Sequence, residues 1–298
     1  MNVALTGATG FIGSHVLGEL HDHGHKVTAL VRSDEQGEIV AARGATPVTV
    51  DLYDRAALGD VLRSADAAIH TASPGDETSA DLDSAVVDAA LDALTGTGKP
   101  FLEISGLWIY GDNPAISEDA ARDAPSLVAW KEPIEQRVLA AAGMRGVVIT
   151  SGTAYGDGGG GVPGVLLNSP RDGAGNLIML GSGQQHWATV HVADLAEVFR
   201  RVLEDDSAHG RYVVGDGRNP TVAELTRAAA VAVGAPGAVP GSDDEARARL
   251  GDYFAEVLLL DQGTSADRAR AELGWAPSHP GLADEFRHGS YAGAVTRG

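Results

Sequence analysis

Three glycines close to the start of the chain are spaced so that the backbone between them could bind a phosphate. Gly7, Gly10 and Gly13 follow a short apolar run and precede an apolar-periodic stretch, which predicts a buried strand, a tight turn and a helix. Gly7 would allow the turn, Gly10 would let a pyrophosphate approach the backbone, and Gly13 would let the helix pack closely on the sheet. The start of the helix then offers free N–H groups to the phosphates. This strand–turn–helix context indicates a dinucleotide site, whereas the spacing alone would not, because the chain contains 39 glycines.

The residue after the second apolar run selects between two dinucleotides. Arg32 follows Leu30 and Val31, which are expected to end the second strand. A carboxylate at this place would accept the ribose 2′-hydroxyl of NAD, whereas an arginine favours the 2′-phosphate of NADP through a charge-assisted contact. We therefore expect NADPH rather than NADH. The alternative for Arg32 is a solvated side chain at the end of a strand.

The elements that must position these residues alternate along the first half of the chain. Short apolar runs are separated by helical patterns, which predicts an α/β fold with a doubly wound parallel sheet of the Rossmann type, covered on both faces. The predicted strands are residues 3–6, 27–31, 46–50, 67–71, 100–105 and 146–150, and the predicted helices lie near residues 13–23, 34–43, 55–64, 81–95 and 130–142.

After residue 155 apolar runs and helical patterns no longer alternate regularly. We expect residues 1–155 to form the NADP-binding domain and residues 156–298 to form a smaller C-terminal substrate-binding lobe, with a glycine-rich lid near 156–183. Residues 187–215 are expected to return to the first domain. Further predicted elements are helices at 190–204, at 221–233 with Thr221 as the N-cap and at 266–275, and a strand at 212–215.

Composition excludes several classes of function. The formal net charge of −19 has no basic stripe to offset it, which argues against a nucleic-acid or anionic-membrane partner. A chain without cysteine has no disulfide, no thiolate nucleophile and no Cys-ligated zinc. No His and carboxylate residues have the spacing of a metal site, so we expect no metal. With no signal-peptide pattern and no apolar run of membrane-spanning length, we expect a cytoplasmic protein that acts on a small molecule. The sequence does not indicate an oligomeric state.

Seven motifs in the right order resemble those of one enzyme family. Residues 6–13 fit a TGxxGxxG pattern, and the later segments are similar in type and position to the family's adenine, nicotinamide and C-terminal motifs. The later segments are residues 50–52, 70–73, 109–111, 152–156, 187–196 and 271–277. On these motifs the chain resembles the extended short-chain dehydrogenase/reductases, the NAD(P)-dependent epimerase/dehydratase group, nearly from end to end.

The resemblance implies a set of cofactor-binding residues. Asp51 and Leu52 would lie at the adenine, and Thr153 would lie near the nicotinamide. Together with Arg32 and Lys131, the implied set is Gly7, Thr9, Gly10, Phe11, Ile12, Gly13, Asp51, Leu52, Thr71, Ala72, Ser73 and Thr153.

The chain departs from the family at the residues that transfer protons. The family uses Ser or Thr, Tyr and Lys, the last two spaced as YxxxK. Lys131 fits the lysine, but Leu127 stands where the tyrosine should be, and Gly106 stands at the Ser/Thr position with Ser105 beside it. We expect Lys131 to bind the nicotinamide ribose and to place positive charge near the reacting oxygen, and Ser105 to contribute a hydroxyl. The alternatives are a surface lysine and a serine that caps the strand end.

These residues leave three functions open. The first is an NADPH-dependent ketoreductase for a bulky, aromatic polyketide of secondary metabolism, similar to the atypical ketoreductases of angucyclinone antibiotic pathways, in which an acidic hydroxyl of the substrate could replace the tyrosine. The second is a non-catalytic sensor that binds NADP, since two of the three catalytic groups are displaced. The third is a sugar-nucleotide epimerase or dehydratase, which is disfavoured because those reactions use the tyrosine as a base.

Overall fold

The computed structural model describes residues 1–293; residues 294–298, at the end of the predicted lobe, lie outside the described part. The described chain forms eleven strands, followed here in chain order. They are β1 (Asn2–Thr6), β2 (Lys26–Val31), β3 (Thr46–Thr49), β4 (Ala67–His70), β5 (Pro100–Gly106), β6 (Arg145–Ser151), β7 (Thr153–Tyr155), β8 (Leu177–Ile178), β9 (Thr189–His191), β10 (Gly210–Val214) and β11 (Ala238–Val239).

Twelve α-helices accompany the strands within residues 1–293, and one turn of 3₁₀ helix, Leu107–Tyr110, follows β5. The α-helices are α1 (Phe11–Asp22), α2 (Asp34–Ala41), α3 (Arg55–Ser64), α4 (Ser79–Leu94), α5 (Lys131–Leu139), α6 (Gly161–Leu167), α7 (Val192–Glu204), α8 (Val222–Ala232), α9 (Asp243–Leu250), α10 (Asp252–Leu259), α11 (Asp267–Leu273) and α12 (Leu282–His288). Within the described part, no helix combines the length and the apolar character that crossing a membrane requires.

Seven parallel strands form the central sheet in the order β10-β6-β5-β4-β1-β2-β3. The chain starts in the middle of the sheet and winds outward in both directions, which confirms the predicted doubly wound α/β fold. Helices α1, α2 and α7 pack on one face, where Leu17 and Phe199 are fully buried, and α3, α4 and α5 pack on the other, where Leu58 and Val87 are fully buried. Both faces of the inner strands are therefore mostly apolar, as the apolar runs predicted, whereas the edge strand β3 is largely exposed.

The boundaries of several elements differ from the prediction for local reasons. Helix α1 begins at Phe11 rather than at residue 13, because Gly10 has an extended backbone and acts as the N-cap. Residues 189–191 form β9 before α7 begins, since they pair with β7. The side chain of His191 then accepts the N–H of Ala193 and caps α7. Thr221 caps α8 through a reciprocal pair of hydrogen bonds with Glu224, which confirms the predicted N-cap.

The second half of the chain contributes both to the sheet and to a separate apolar core. Strand β10 pairs with β6 at the edge of the central sheet. Helices α6, α8, α10 and α12 enclose a core that includes Leu166, Leu225 and Phe286. In the predicted lid, β8 pairs with β11 from a later part of the chain, and Leu177 and Leu180 are buried in the same core.

Candidate functional site

A cleft of about 430 Å³ opens at the carboxyl ends of β1, β4, β5 and β6. Parallel α/β sheets bind their ligands at this edge, where the loops that follow adjacent strands diverge. Most of the cleft wall is apolar, and three tryptophans contribute to it. The apolar wall includes Phe11, Ile12, Ile104, Leu107, Trp108, Val128, Trp130, Val162 and Trp187, and the polar wall includes Ser73, Asp83, Ser105, Lys131, Ser151, Thr153 and Gln262.

The glycine turn between β1 and α1 has the geometry of a phosphate cradle. Gly7 has a φ of +75°, and a Cβ on it would lie 2.6 Å from the backbone nitrogen of Ala72. A Cβ on Gly13 would collide with the carbonyl oxygen of Gly7. A Cβ on Gly10 would meet only that oxygen, at 3.3 Å, so the space above Gly10 is open to a ligand. The residues therefore fit a dinucleotide pyrophosphate at the start of α1.

The other predicted cofactor residues occupy the same edge of the sheet. Phe11, Ile12, Ala72, Ser73 and Thr153 line the cleft. Thr71 does not line it: its hydroxyl donates to the carbonyl oxygen of Thr6 at 2.7 Å and joins the ends of β4 and β1. Thr9 is exposed in the glycine turn.

The predicted adenine end lies at the ends of β2 and β3. Arg32 follows β2, and its side chain is exposed and has no carboxylate within ion-pair distance among residues 1–293. Its backbone N–H donates to the side chain of Gln36. Asp51 is exposed and accepts the N–H of Tyr53 at 2.9 Å, whereas Leu52 is buried against α3 and α4. An exposed, unpaired guanidinium fits the 2′-phosphate that the sequence predicted for it.

Lys131 belongs to a buried acid–base cluster at the back of the cleft. It begins α5, and its Nζ donates to Glu103 Oε1 at 2.8 Å and to Asp83 Oδ2. Glu103 lies on β5 and Asp83 on α4, and all three side chains are at most 10% exposed. Burial opposes the charge on Lys131, but the two neighbouring carboxyl groups outweigh it and raise the pKa of Lys131 above its ordinary value. Lys131 therefore remains positively charged at neutral pH.

The two carboxyl groups of this cluster have opposite pKa shifts. Burial opposes ionisation of Asp83, but the hydrogen bond from His70 and the charge of Lys131 outweigh it, and the pKa of Asp83 lies below its usual range. Burial dominates at Glu103 and raises the pKa of that carboxyl. His70 extends the cluster to the glycine turn, since its Nε2 lies 3.2 Å from Asp83 Oδ1 and its Nδ1 lies 2.7 Å from Thr6 Oγ1.

Ser105 contributes a buried, unpaired hydroxyl to the cleft. It lies near the end of β5 and is 6% exposed, and its Oγ has no hydrogen-bond partner among the described residues. Desolvating a hydroxyl without a partner costs free energy, so an unpaired hydroxyl on a cleft wall is suited to bind a polar ligand atom. The structure therefore places Ser105 and Lys131 in the lining of the same cleft.

No tyrosine lines the cleft within residues 1–293. Leu127, which occupies the family's tyrosine position, lies in a turn before α5 and is 37% exposed. Tyr110, the last residue of the 3₁₀ helix, is buried, and Tyr155 donates its hydroxyl to Asp216 at 3.2 Å and to the carbonyl of Pro280 at 2.8 Å. A proton for a substrate in this cleft must come from another group.

Sequence reasoning missed the residues that surround Lys131. Asp83 was not identified; an acidic residue among the apolar residues of a helix is only a weak signal of a buried charge. Glu103 gave a stronger signal, since it interrupts the apolar run of a buried strand. The three tryptophans of the wall were also missed, because they come from separate segments of the chain and share no spacing.

The residues of this edge match one protein family. The model of the NAD dependent epimerase/dehydratase family matches residues 3–215. The chain belongs to that family. Its members are NAD(P)-dependent oxidoreductases or isomerases, which supports NAD(P) as the cofactor of the glycine turn and confirms the extended short-chain dehydrogenase/reductase assignment.

Individual relatives align along nearly the whole chain. A Saccharomyces cerevisiae protein described as uncharacterized protein YLL056C is 30% identical, over 96% of this chain and 98% of its own length. A 3-diazoavenalumate denitrifying reductase from a Streptomyces species is 27% identical, over 95% of this chain and 98% of its own. Among solved structures, human epimerase family protein SDR39U1 with NADPH has a TM-score of 0.72 and 24% identity, covering 97% of this chain and 99% of the other. This structural likeness supports the fold.

Proposed function

We propose that the protein is an NADPH-dependent reductase that reduces the ketone of a bulky, aromatic substrate of the polyketide type. The observation that carries this proposal is an apolar cleft, walled by three tryptophans, that adjoins the glycine turn. When bound, the dinucleotide supplies the hydride. The near-full-length match to a relative named as a reductase favours net reduction over isomerisation.

The tryptophans favour a flat, apolar substrate. The indole N–H of Trp130 donates to the carbonyl of Leu127 at 2.9 Å, and that of Trp187 donates to the carbonyl of Leu258 at 3.0 Å. With these polar atoms engaged, the two rings present mainly their apolar surfaces to a ligand. Aromatic ligands gain from such contacts both buried area and favourable ring geometry.

The polar atoms of the cleft fit a carbonyl and a hydroxyl. Ser105 can donate its unpaired hydroxyl to the ketone oxygen. Gln262 donates its amide nitrogen to the carbonyls of Leu107 and Gly111, at 2.8 Å each, which leaves its amide oxygen as an acceptor for a substrate hydroxyl. Lys131 adds positive charge on the side where negative charge develops on the ketone oxygen.

The same wall disfavours a nucleotide sugar. A diphosphate needs several cationic or N–H donors, yet Lys131 is the one cationic side chain among the described residues of the cleft wall, and Asp83 and Glu103 both engage it. NADPH is favoured over NADH by the exposed Arg32, because a guanidinium pairs well with the 2′-phosphate.

The test is NADPH oxidation with a panel of polycyclic aromatic ketones, small aliphatic ketones and UDP-glucose. We expect turnover with the aromatic ketones, slower turnover with the aliphatic ones and no conversion of UDP-glucose. Tight NADPH binding without oxidation by any ketone would instead favour the non-catalytic sensor. Isomerisation of UDP-glucose would favour an epimerase.

A further inference from the structure

The proposed reduction, on which this inference rests, needs a proton on oxygen as well as a hydride on carbon. A layer of buried charged groups lies directly behind the cleft, between the sheet and helices α4 and α5. We call it the buried charge layer. It consists of Asp83, Glu103, Lys131, Glu135 and Arg211, and each is at most 8% exposed.

The buried charge layer holds one carboxyl group more than it holds cations. Glu135 and Arg211 form a pair of their own, with Oε2 and an arginine nitrogen 2.6 Å apart. Asp83 and Glu103 share the single charge of Lys131. If every carboxyl were ionised, one negative charge would be buried without compensation, and such a group takes up a proton instead.

His70 adds a hydrogen-bond partner to Asp83. Its Nε2 lies 3.2 Å from Asp83 Oδ1, and its Nδ1 lies 2.7 Å from the hydroxyl oxygen of Thr6, which also accepts the N–H of Thr71 at 3.3 Å.

Of the two carboxyls that share Lys131, Glu103 is the one suited to hold the proton. Asp83 receives hydrogen bonds from both His70 and Lys131, whereas Glu103 receives one from Lys131, and its Oε2 has no partner among the described residues. The titratable groups that face Glu103 are His70 from β4, Asp83 from α4 and Lys131 from α5. Burial raises the pKa of Glu103, in agreement with this assignment.

We propose that Glu103 is protonated at neutral pH and that Lys131 and Glu103 together supply the proton that the ketone oxygen takes up. Lys131 lines the cleft and uses two of its three N–H donors within the buried charge layer, so one remains for a ligand. Lys131 is the group that touches the substrate, and Glu103 acts through it.

The proton reaches the ketone oxygen in three steps. Hydride addition to the carbonyl carbon leaves the electron pair of the C=O π bond on oxygen, as an alkoxide. An N–H bond of Lys131 breaks as the O–H bond of the product alcohol forms; an alkoxide is a much stronger base than an amine, so this transfer is favourable despite the raised pKa of Lys131. The neutral amine then takes the proton from the Glu103 carboxyl, and Glu103 recovers a proton from water after the product leaves.

The first test needs no substrate. Infrared spectra of the folded protein at pH 7 report protonated carboxyl groups through their C=O stretch, which is separate from the bands of carboxylates. We expect this band in the wild type and in the matched control Glu135→Gln, and its loss in Glu103→Gln. A wild type without the band, or a band that persists in Glu103→Gln, would overturn the proposal. Glu103→Gln replaces one neutral group by another of similar shape, so its failure to fold would also contradict it.

The second test is kinetic. With an aromatic ketone that the wild type reduces, we expect Glu103→Gln to lower kcat by about 10²-fold, the typical contribution of a positioned acid, while the Kd for NADPH stays unchanged. We also expect the fall of kcat at high pH to disappear, because the group whose deprotonation causes it is gone. A variant with the wild-type pH profile would show that Glu103 has only a structural role.

The two tests separate this proposal from the proposed function. If the wild type reduces no ketone, the function fails, and the infrared band still reports whether Glu103 is protonated. If the wild type reduces ketones but lacks the band, the function stands and the proton source is wrong. A ketone whose neighbouring hydroxyl is methylated should still be reduced; failure of that substrate alone would assign the proton to the substrate.

Discussion

The two walls of the cleft are built from different parts of the chain. The cofactor wall consists of backbone from one continuous turn, residues 7–13, in which glycines leave room for a ligand. The wall that carries Lys131 consists of side chains from β5, α4 and α5, with charges that compensate one another only in part. The backbone site excludes an added Cβ at Gly7 and Gly13, where it would collide with other backbone atoms. The side-chain site tolerates shape-conserving changes but responds to the gain or loss of a proton. The following experiments test that difference.

Adding one methyl group inside the glycine turn should have the largest effect. The Cβ of Gly13→Ala would collide with the carbonyl oxygen of Gly7, and a backbone group cannot move away cheaply. We expect a loss of about 3 kcal/mol or more in the free energy of unfolding and no measurable NADPH binding. Denaturant unfolding and fluorescence titration check both.

The matched control lies in the same helix. A Cβ on Gly18 would meet no atom within 4 Å, so Gly18→Ala should retain NADPH binding and gain about 0.5–1 kcal/mol through helix propensity. Equal effects of the two substitutions would show that the glycine turn is not sterically constrained.

Replacing Asp83 by Asn should destabilise the protein at neutral pH, in contrast to replacing Glu103 by Gln. Because the pKa of Asp83 is lower in the folded protein than in the unfolded chain, its ionisation stabilises the fold above the usual Asp range. We expect Asp83→Asn to cost about 3 kcal/mol at pH 7, as for a broken buried ion pair. The difference from the wild type should shrink as the pH falls through the folded pKa of Asp83.

The dependence of stability on pH has the opposite sign at Glu103. Its pKa is raised on folding, so its contribution to stability is complete below the unfolded pKa and is lost as the pH rises through the folded pKa. Glu103→Gln should therefore unfold at the wild-type denaturant concentration or above it at pH 7, because a glutamine does not have to take up a proton on folding. A large loss for Glu103→Gln, equal to that of Asp83→Asn, would contradict the assignment of the proton.

Removing the unpaired hydroxyl tests the substrate side directly. Ser105→Ala should lower kcat by about 10²-fold, because one donor to the developing oxyanion is lost, with little effect on NADPH affinity. Ser169→Ala is the matched control, since Ser169 is equally buried (6% exposed) and lies outside the cleft. Equal rates for the two variants would show that Ser105 takes no part in the reaction.

Reversing the charge of Arg32 should change cofactor choice without changing the chemistry. We expect Arg32→Asp to reduce the ratio of kcat/KM for NADPH to that for NADH by about 10- to 100-fold, the value of one charge-assisted contact. Steady-state kinetics with both cofactors measures the ratio. An unchanged ratio would leave Arg32 as a solvated strand end.

The smallest effect should come from restoring the family's tyrosine. Leu127 lies in a turn before α5 and not on the helix that carries Lys131, so Leu127→Tyr would not place its hydroxyl in the cleft. We expect kcat to stay within about threefold of the wild type. A gain approaching the 10²-fold that a positioned acid provides would show that this turn reaches the substrate.

The sequence predicted the central sheet because most of its strands are short apolar runs, and it predicted the glycine turn because neighbouring residues form it. It did not predict β8 and β11, which have two residues each and pair although β9, α7, β10 and α8 lie between them in the chain. The sequence also did not predict the cluster around Lys131, because Lys131 contacts Asp83 and Glu103, which lie 48 and 28 positions before it in the chain. Such contacts depend on how α4 and α5 cross the sheet, which local periodicity does not specify.

The most direct test of the proposed reduction follows the hydride itself. NADPH deuterated at C4 of the nicotinamide is incubated with the protein and a polycyclic aromatic ketone, and the product is analysed by mass spectrometry and NMR. We expect one deuterium on the carbinol carbon of the alcohol, and no deuterium there when Gly13→Ala replaces the wild type. Tight binding of the deuterated cofactor with no deuterium in any product would contradict a reductase.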